Sequence, residues 1–509
     1  MEGISEEKPC EENKLYEVVF CKETDSFVTA TNNIQPGNVI LIDNPIVLAP
    51  LPTKNDLLCV GCCKRLDETD CYCPKCGWPK CRNECQDVST HNENECEILR
   101  LCPKKSGDSK FRYDILIILR CLLLQTSNKN KWAVLLNLLD RFNGGDRGNA
   151  DYFKKVEEKK RFLEEVYLKP LRNYEAEIGK SILPQASSDI VEKVCGFLML
   201  YVMEHSNIKL LYAKANLIEQ NCVPNAIFVV DDEDDYKMTI KAVQPILKGE
   251  HITISYTDIL LGTQQRKKYL KKLRNTLCRC SRCEDSTEFN SYLSAMICFG
   301  MEDEPCKGIQ LSLNPTDETP VWLCNKCNIK LPNKEVTDFI RHLNKEVDKR
   351  LETKPNFEDL KDFLEKLELF LHPTHYLIIR VKYHLIQIYE ISQTSRDLLK
   401  EKMKMCESLI EVFKKIDPGS TRLGLHLLTI LSELYKAKTE LLFQTFLPED
   451  KDASFSLITE ILQILKEANK IAEFQSQIHP QKNLLENVKN NKDMISKWLA
   501  ENSFMFEID

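Results

Sequence analysis

The chain has 509 residues, of which 43% are hydrophobic and 29% charged, and its formal net charge is −7. This length allows two or three domains with ample core, and the composition is that of an ordinary soluble globular protein. The net negative charge gives no overall electrostatic reason to bind nucleic acid. The most apolar run, residues 115–124, is broken by Arg120 and is too short to span a bilayer, so no membrane association is expected.

The N-terminal half alternates between β-type and helical patterns. Residues 15–50 alternate apolar and polar side chains around a turn at 35–38, which predicts short antiparallel strands. Between about 97 and 190, the segments RYDILIILRCLLLQ and WAVLLNLLDRF carry apolar stripes of helical period. These stripes predict a helical insertion.

Strands are predicted again near 227–230 and 238–243 and in the segment GEHITISY. There Ile252, Ile254 and Tyr256 share one face of the strand. From about residue 335 onward the pattern is helical, with long amphipathic runs. Consecutive helices of this length predict an antiparallel, tetratricopeptide-like array, although no strict repeat is visible.

Twenty-three cysteines, with no apolar signal segment in MEGISEEKPCEENK, indicate a reducing compartment. We therefore expect the protein in the nucleus and the cytoplasm, with cysteines that bind metal rather than form disulfides. Eight cysteine and histidine side chains that can bind zinc lie within about forty residues. They occur in pairs separated by two residues or slightly more, a spacing that suits tetrahedral zinc. They form the pairs Cys59/Cys62, Cys73/Cys76, Cys81/Cys85 and His91/Cys96. Two structural zinc ions are predicted here, and Cys71 is the alternative to Cys73 as a ligand.

Two further cysteine groups follow. Cys278, Cys280 and Cys283 supply three thiolates without a local fourth, and Cys222 in NCVPN is the candidate for the missing ligand. A last quartet has ribbon-like spacing and comprises Cys298, Cys306, Cys324 and Cys327. Its alternative interpretation is a loop with two reduced thiol pairs. Three or four zinc ions per chain are therefore expected.

Four features, in their order along the chain, resemble a SET-and-MYND (Smyd-type) protein. They are the eight predicted zinc ligands between Cys59 and Cys96, followed by the segments NCVPN, GEHITISYTD and CRCSRC. The segments YDILIILRCLLL, CEDSTEFNSYLSAMIC and LHPTHYLIIRVKYHLIQIY resemble the arthropod SmydA branch. The resemblance implies an α+β fold, a split SET domain with an inserted MYND finger. The implied divisions are 1–52 (N-terminal half of SET), 53–100 (MYND), 101–190 (helical insert), 191–260 (C-terminal half of SET), 261–332 (post-SET zinc segment and ribbon) and 333–509 (helical tetratricopeptide-like domain).

The family's MYND fingers are cross-braced, which implies the ligand sets 59, 62, 81, 85 and 73, 76, 91, 96. The gap between His91 and Cys96 is one residue longer than usual, and we expect a flexible loop to absorb it. The family's post-SET zinc implies Cys222 with the CRCSRC cysteines, in agreement with the spacing.

Active SET proteins transfer a methyl group from S-adenosylmethionine to a lysine amine, with cofactor and peptide on opposite faces. The resemblance makes Tyr256 the tyrosine that orients the amine, and the alternative is an aromatic side chain that fills the core. The implied cofactor contacts are degraded: Asp25-Ser26-Phe27 replaces a glycine-rich G-x-G, and Glu219-Gln220 replaces an Asn-His pair. Tyr201 aligns with a family asparagine, and Arg274 stands where the family has a second aromatic residue.

Three functional hypotheses follow. The first is a protein-lysine methyltransferase, acting on histones or other proteins in transcriptional regulation. The second is a weak or inactive SET scaffold that recruits proline-rich corepressor peptides through the MYND finger and the helical domain. The third, nucleic-acid binding through a basic helix, is the least favoured because such a charge run is usually a solvated face. That run comprises Arg266, Lys267, Lys268, Lys271, Lys272 and Arg274. The protein is expected to be a monomer.

Overall fold

The computed structural model describes residues 14–21, 25–51, 57–66, 72–81, 85, 90–102, 112–142, 150–300, 306–353, 355–388, 395–448, 452–480, 482–502 and 504. The strands are β1 Tyr16–Cys21, β2 Asp25–Ala30, β3 Val39–Asp43, β4 Val47–Pro50, β5 Met203–His205, β6 Ile208–Leu211, β7 Glu219–Gln220, β8 Ala226–Asp231, β9 Lys237–Ala242, β10 Thr253–Ile254, β11 Met296–Ile297, β12 Ile309–Ser312, β13 Trp322–Cys324 and β14 Lys330–Leu331.

The helices of the first 300 residues are α1 Glu93–Leu101, α2 Tyr113–Ser127, α3 Lys129–Arg141, α4 Ala150–Leu163, α5 Lys169–Ile178, α6 Ser188–Tyr201, α7 Thr263–Arg274 and α8 Ser281–Glu284. Those of the C-terminal region are α9 Asn333–Glu352, α10 Phe357–Glu368, α11 Tyr376–Ile388, α12 Arg396–Ile416, α13 Gly424–Thr445, α14 Asp452–Ile478 and α15 Leu484–Glu501. The described helices include none that is both long and apolar enough to cross a membrane.

The β-rich unit is assembled from two distant parts of the chain. β3 lies antiparallel to β9 in the sheet β3-β9-β8, and β4 lies antiparallel to β6 in the sheet β4-β6-β5. In β9, buried and partly exposed residues alternate, because successive side chains of a strand point to opposite faces. The predicted turn at 35–38 is confirmed, with Gly37 at φ +87°, a conformation that favours glycine.

The strand predicted in GEHITISY is shorter than expected. Only Thr253 and Ile254 are regular strand residues, and they pair in parallel with Glu219 and Gln220. The partner strand ends there, and the backbone N–H of Tyr256 donates instead to the side chain of Gln220. The predicted alternation still holds, because Ile252 and Ile254 are both buried.

Helices α2 and α6 supply much of a second core, which covers β4 and the cysteine-rich segment. Apolar residues from 115 to 124 in α2 are almost completely buried, and Arg120 is buried among them. An apolar run that is buried on nearly all sides is the expected interior helix of a globular protein.

The C-terminal region consists of helices that pack on their sequence neighbours around a third core. The end of α14 lies against the β-rich unit, where the ammonium group of Lys241 donates to the carbonyl oxygens of Gln477 and Ile478. Arg422 Nη1 reaches the carbonyl oxygen of Pro224 at 3.5 Å. The predicted α+β fold class, with a helical C-terminal region, is confirmed.

Candidate functional site

Two sets of four metal-ligand side chains interleave between β4 and the first turn of α1. Within each set the four ligand atoms all lie within 4.8 Å of one another. The sets are Cys59, Cys62, Cys81 and Cys85, and Cys73, Cys76, His91 and Cys96. Each set combines two pairs that are separated in sequence by a pair of the other set. This is the cross-braced arrangement that the resemblance implied.

The sulfur–sulfur distances match the edges of a tetrahedron around zinc. Cys59 Sγ lies 3.6 Å from Cys81 Sγ and 3.8 Å from Cys85 Sγ, and Cys73 Sγ lies 3.6 Å from Cys96 Sγ. A Zn–S bond of about 2.3 Å gives an edge of about 3.8 Å. The two sulfur atoms of a disulfide would be only about 2.05 Å apart. These thiols are therefore placed to hold a metal ion.

The surroundings of Cys59 favour its thiolate form. A hydrogen bond with the side chain of Cys62 is the largest influence on its pKa, and the backbone N–H groups of Gly61 and Cys81 also donate to its sulfur, each at 3.3 Å. These hydrogen bonds lower the pKa of Cys59 to about 4, although burial raises it. Since zinc binds the thiolate, Cys59 is prepared for its role as a ligand.

A buried network orients the histidine of the second set. His91 Nε2 lies 3.6 Å from Cys76 Sγ, and its Nδ1 lies 2.9 Å from Glu95 Oε1. Arg120 donates to Glu95 and to the carbonyl oxygens of Val60, at 2.6 Å, and Leu48, at 2.8 Å. Such an outer partner fixes the imidazole orientation of a metal ligand. The network also joins the finger to β4.

The long gap between His91 and Cys96 is accommodated by a helix, and not by the flexible loop that we expected. Asn92 Oδ1 accepts a hydrogen bond from the backbone N–H of Glu95 at 2.8 Å and caps α1. Cys96 consequently lies in the first turn of α1, where helical geometry fixes its position.

The third set brings Cys222 to the CRCSRC segment. Its four sulfur atoms, from Cys222, Cys278, Cys280 and Cys283, lie within 4.8 Å of one another. The guanidinium of Arg266 contacts the sulfur of Cys222 at 3.2 Å and that of Cys283 at 3.5 Å. Arg266 also pairs with the buried carboxylate of Glu288 at 2.8 Å. Cationic N–H donors stabilise the negative charge that four thiolates bring to a zinc ion.

The basic helix α7 presents only part of its predicted charged face to solvent. Arg266, Lys267 and Arg274 are buried, and only Lys268, Lys271 and Lys272 are exposed. Lys267 Nζ donates to backbone carbonyl groups of the ribbon. Three of the six basic side chains of the hypothesised nucleic-acid surface are thus buried inside the protein.

The fourth set lies in the four-stranded antiparallel sheet β11-β12-β13-β14. Cys298 and Cys327 are separated by 3.5 Å between their sulfur atoms, and Cys306 and Cys324 by 3.7 Å. All four sulfur atoms lie within 4.8 Å of one another. The two thiol pairs of the alternative interpretation therefore meet at one point, where a single metal ion could be held.

Tyr256 stands between two cavities. The larger cavity, of about 500 Å³, is lined by Tyr201, Glu219, Gln220, Tyr256 and residues of the CRCSRC segment. The smaller, of about 130 Å³, lies against other parts of the β-rich unit. Asn216, Tyr256 and Arg274 line both cavities. The Tyr256 hydroxyl donates to the carbonyl oxygen of Ile218 at 2.8 Å, and burial raises its pKa, although Arg274 opposes this.

Sequence comparisons agree with this architecture. A family model described as "SET domain" matches residues 25–257. SET domain-containing protein SmydA-8, isoform B, of Drosophila melanogaster is 24% identical over 376 residues, which cover 70% of this chain and 77% of the relative. Histone-lysine N-methyltransferase ASHR1 of Arabidopsis thaliana is 24% identical, with coverages of 85% and 88%. Histone-lysine N-methyltransferase SMYD3 of Homo sapiens is 21% identical, with coverages of 57% and 64%.

The chain contains a SET domain, and its similarity to SmydA-8 and SMYD3 supports a Smyd-type protein with a SmydA-like relationship. Tyr201, Glu219 and Gln220, which the resemblance assigns to cofactor contacts, all line the larger cavity. Phe27 is not part of the described wall. Its ring stacks on His251, with centroids 4.4 Å apart, because β2 pairs with β1 and turns this side chain toward the segment before β10. Asp25 and Ser26 lie on β2, and their side chains fall outside the described part of the structure.

Sequence reasoning missed the polar residues that support the ligands of this Smyd-type protein. Arg120, Glu95 and Glu288 belong to no metal-ligand motif. One signal was available: Arg120 is the single charge in the apolar run 115–124. A charged residue at an interior helical position requires a buried partner.

Proposed function

We propose that this Smyd-type zinc protein is an S-adenosylmethionine-dependent protein-lysine N-methyltransferase that acts through Tyr256. The observation that carries the proposal is the position of Tyr256 on the wall of both cavities. A transferase that receives cofactor and peptide from opposite sides needs one residue at their meeting point. The relatives ASHR1 and SMYD3, which are named histone-lysine N-methyltransferases, support the reaction class.

The larger cavity fits the cofactor in size and chemistry. Its volume of about 500 Å³ lies in the range of about 300–1,000 Å³ that is usual for small-molecule sites. Phe142, Phe197 and Tyr201 give it aromatic walls for an adenosyl group. When bound, S-adenosylmethionine supplies the methyl group. Tyr256 is protonated at neutral pH, as a tyrosine ordinarily is, and burial raises its pKa further. Its fixed hydroxyl can orient an amine that enters from the smaller cavity.

Calorimetry and a methylation assay test this function. We expect the zinc-loaded protein to bind S-adenosylmethionine with micromolar affinity and to methylate lysines on a peptide array. Tyr256→Phe should abolish methylation while cofactor binding is retained. Tyr383→Phe removes one hydroxyl from a tyrosine on α11, which lines neither cavity, and should leave both unchanged. Millimolar or absent cofactor binding in the wild type would contradict the proposal.

A second candidate function is a SET scaffold with little or no catalysis, acting in transcriptional regulation in the nucleus and cytoplasm. This candidate is favoured because two polar residues of the larger cavity, which replace the family's Asn-His pair, already form hydrogen bonds within the protein. Glu219 pairs with His251 at 2.5 Å, and Gln220 accepts from the backbone N–H of Tyr256 at 2.5 Å. In this interpretation the MYND finger binds proline-rich peptides of corepressors.

Peptide binding tests the docking role of the second candidate. A scaffold should bind proline-rich peptides equally well in wild type and Tyr256→Phe, and should lose binding when Cys85→Ser disrupts the first zinc set. Full peptide binding by Cys85→Ser would exclude the finger as the docking site.

A further inference from the structure

Arg274 occupies the junction of the two cavities. Its side chain is only 7% exposed, and its Cζ lies 4.0 Å from the ring centroid of Tyr256 and 5.0 Å from that of Tyr201. Arg274 Nη2 donates to Asn216 Oδ1 at 3.2 Å. The two aromatic faces and the amide oxygen hold the guanidinium in one position.

This guanidinium is a buried charge without an acidic counterpart. Among the described residues, no carboxylate forms an ion pair with Arg274, and its Nε is buried without a hydrogen-bond partner. A buried, unneutralised charge is costly, and a ligand that brings a second positive charge into the same cavity raises the cost.

The other charges on the larger cavity do not cancel that of Arg274. Arg279 also lines it, and the single carboxylate of its described wall, that of Glu219, is already paired with His251. Cys278 and Cys280 also line the wall, and the charge of their thiolates would be offset in part by the zinc ion that the third set would hold. The charged group that contacts the ring of Tyr256 is the guanidinium of Arg274, so a ligand at this tyrosine meets a positive charge.

We propose that Arg274 is a specificity-determining residue, which makes this cavity prefer the uncharged thioether S-adenosylhomocysteine to the cationic sulfonium S-adenosylmethionine. The inference rests on the proposed function, because it takes the cavity to be the cofactor site. The two ligands differ by one methyl group and one positive charge, so their affinity ratio reports mainly on charge at the sulfur position. The protein then holds the spent cofactor more firmly than the methyl donor.

Calorimetric titration with both ligands tests the inference on the full, zinc-loaded chain. We expect the wild type to bind S-adenosylhomocysteine at least about tenfold more tightly than S-adenosylmethionine. Tenfold corresponds to about 1.4 kcal/mol, which is slightly more than the repulsion of two unit charges about 4 Å apart in bulk water and less than their repulsion near a protein surface. Arg274→Gln keeps a polar side chain without the charge and should bring the ratio close to one. Arg274→Lys keeps the charge and should retain the wild-type ratio. Zinc content and thermal unfolding verify that each variant is folded, and Arg274→Met replaces Arg274→Gln if that variant is not.

The outcomes separate this inference from the function on which it rests. If S-adenosylmethionine binds the wild type at least as tightly as S-adenosylhomocysteine, the inference fails and the proposed function stands. An unchanged ratio in folded Arg274→Gln, or an equal loss of the ratio in Arg274→Lys, also overturns it. If neither ligand binds the wild type or the folded variants, both the inference and the proposed function fail.

Discussion

Arg120 donates to both carboxylate oxygens of Glu95, at 2.7 and 3.0 Å, and the two side chains are almost completely shielded from solvent. Burial raises the pKa of Glu95, but Arg120 and His91 together bring it below its ordinary value. The pair lies directly behind the imidazole of the second zinc set. It connects the metal site mechanically to α2 and β4.

We expect Arg120→Met to destabilise the protein by about 3–5 kcal/mol, because it leaves the carboxylate of Glu95 buried and unpaired. It should also weaken zinc binding at the second set about 10- to 100-fold, since the orientation of His91 is lost. Chemical denaturation and zinc competition measure the two effects. The control is Arg100→Ala, which breaks the exposed pair with Glu97 on α1 and should change stability by less than about 1 kcal/mol. Similar losses in both variants would contradict a special role for Arg120.

Elemental analysis of the purified protein should give four zinc ions per chain, one for each set of four ligand atoms. Cys283→Ser should reduce the count to three, because the third set loses a fully buried thiolate. Cys406→Ser alters a cysteine that is equally buried but belongs to no set, and should retain four ions. If the wild type contained three zinc ions and Cys324→Ser also contained three, the fourth set would not bind zinc.

His375 should make stability depend on pH in the mildly acidic range. Burial lowers its pKa from about 6.5 to about 3, and its Nδ1 accepts a hydrogen bond from the backbone N–H of Leu377 at 3.2 Å. The unfolded state binds the proton more readily than the folded state, so protonation of His375 favours unfolding. The contribution of neutral His375 to the free energy of unfolding is therefore complete above pH 6.5 and is lost as the pH falls toward 3. Between pH 6 and 5 the wild type should lose up to about 1.4 kcal/mol per pH unit more than His375→Gln.

Urea denaturation at several pH values measures this difference, and the comparison with the variant cancels the acid sensitivity of the zinc sites. His342→Gln, at an exposed histidine of α9, is the matched control and should follow the wild type. Parallel curves for wild type and His375→Gln would show that His375 does not contribute.

Gly424 and Gly419 form a matched pair for testing the packing of α13 on α14. A Cβ atom at Gly424 would lie 2.3 to 2.8 Å from three atoms of the buried Gln475 side chain, which donates to the carbonyl oxygen of Thr421. Gly424→Ala should therefore cost about 1–3 kcal/mol in the free energy of unfolding. At Gly419 the nearest atom is 3.6 Å away, so Gly419→Ala should be close to neutral. A neutral Gly424→Ala would show that Gln475 can move at no cost.

The grouping of cysteines was predictable because the chemistry is local. Cys59 and Cys62, or Cys324 and Cys327, are placed by a single turn, and zinc accepts few arrangements of such pairs. The helices were predictable for a similar reason, because the apolar run of α2 lies within fifteen residues. In both cases one short segment carries the information.

The partners of Arg120, Arg266 and Arg274 were not predictable from the sequence, because they come from other segments of the chain. Arg266 belongs to a basic helix whose pattern is the same whether a side chain faces water or the thiolates of Cys222 and Cys283. Arg274 could be recognised as a replacement for an aromatic residue, but not as a cation between Tyr201 and Tyr256. Tertiary structure decides such cases, since it selects the partner of each charge.

The pairing of β3 with β9 closes a loop that contains the whole segment 44–236. A contact of such long range forms slowly, because the intervening chain must first become compact. Zinc binding compacts the finger within that segment and is coupled to its folding. We therefore expect metal supply to control the rate at which newly made chains complete the SET sheet, so that zinc starvation would cause incompletely folded chains to accumulate before any mature protein loses its metal.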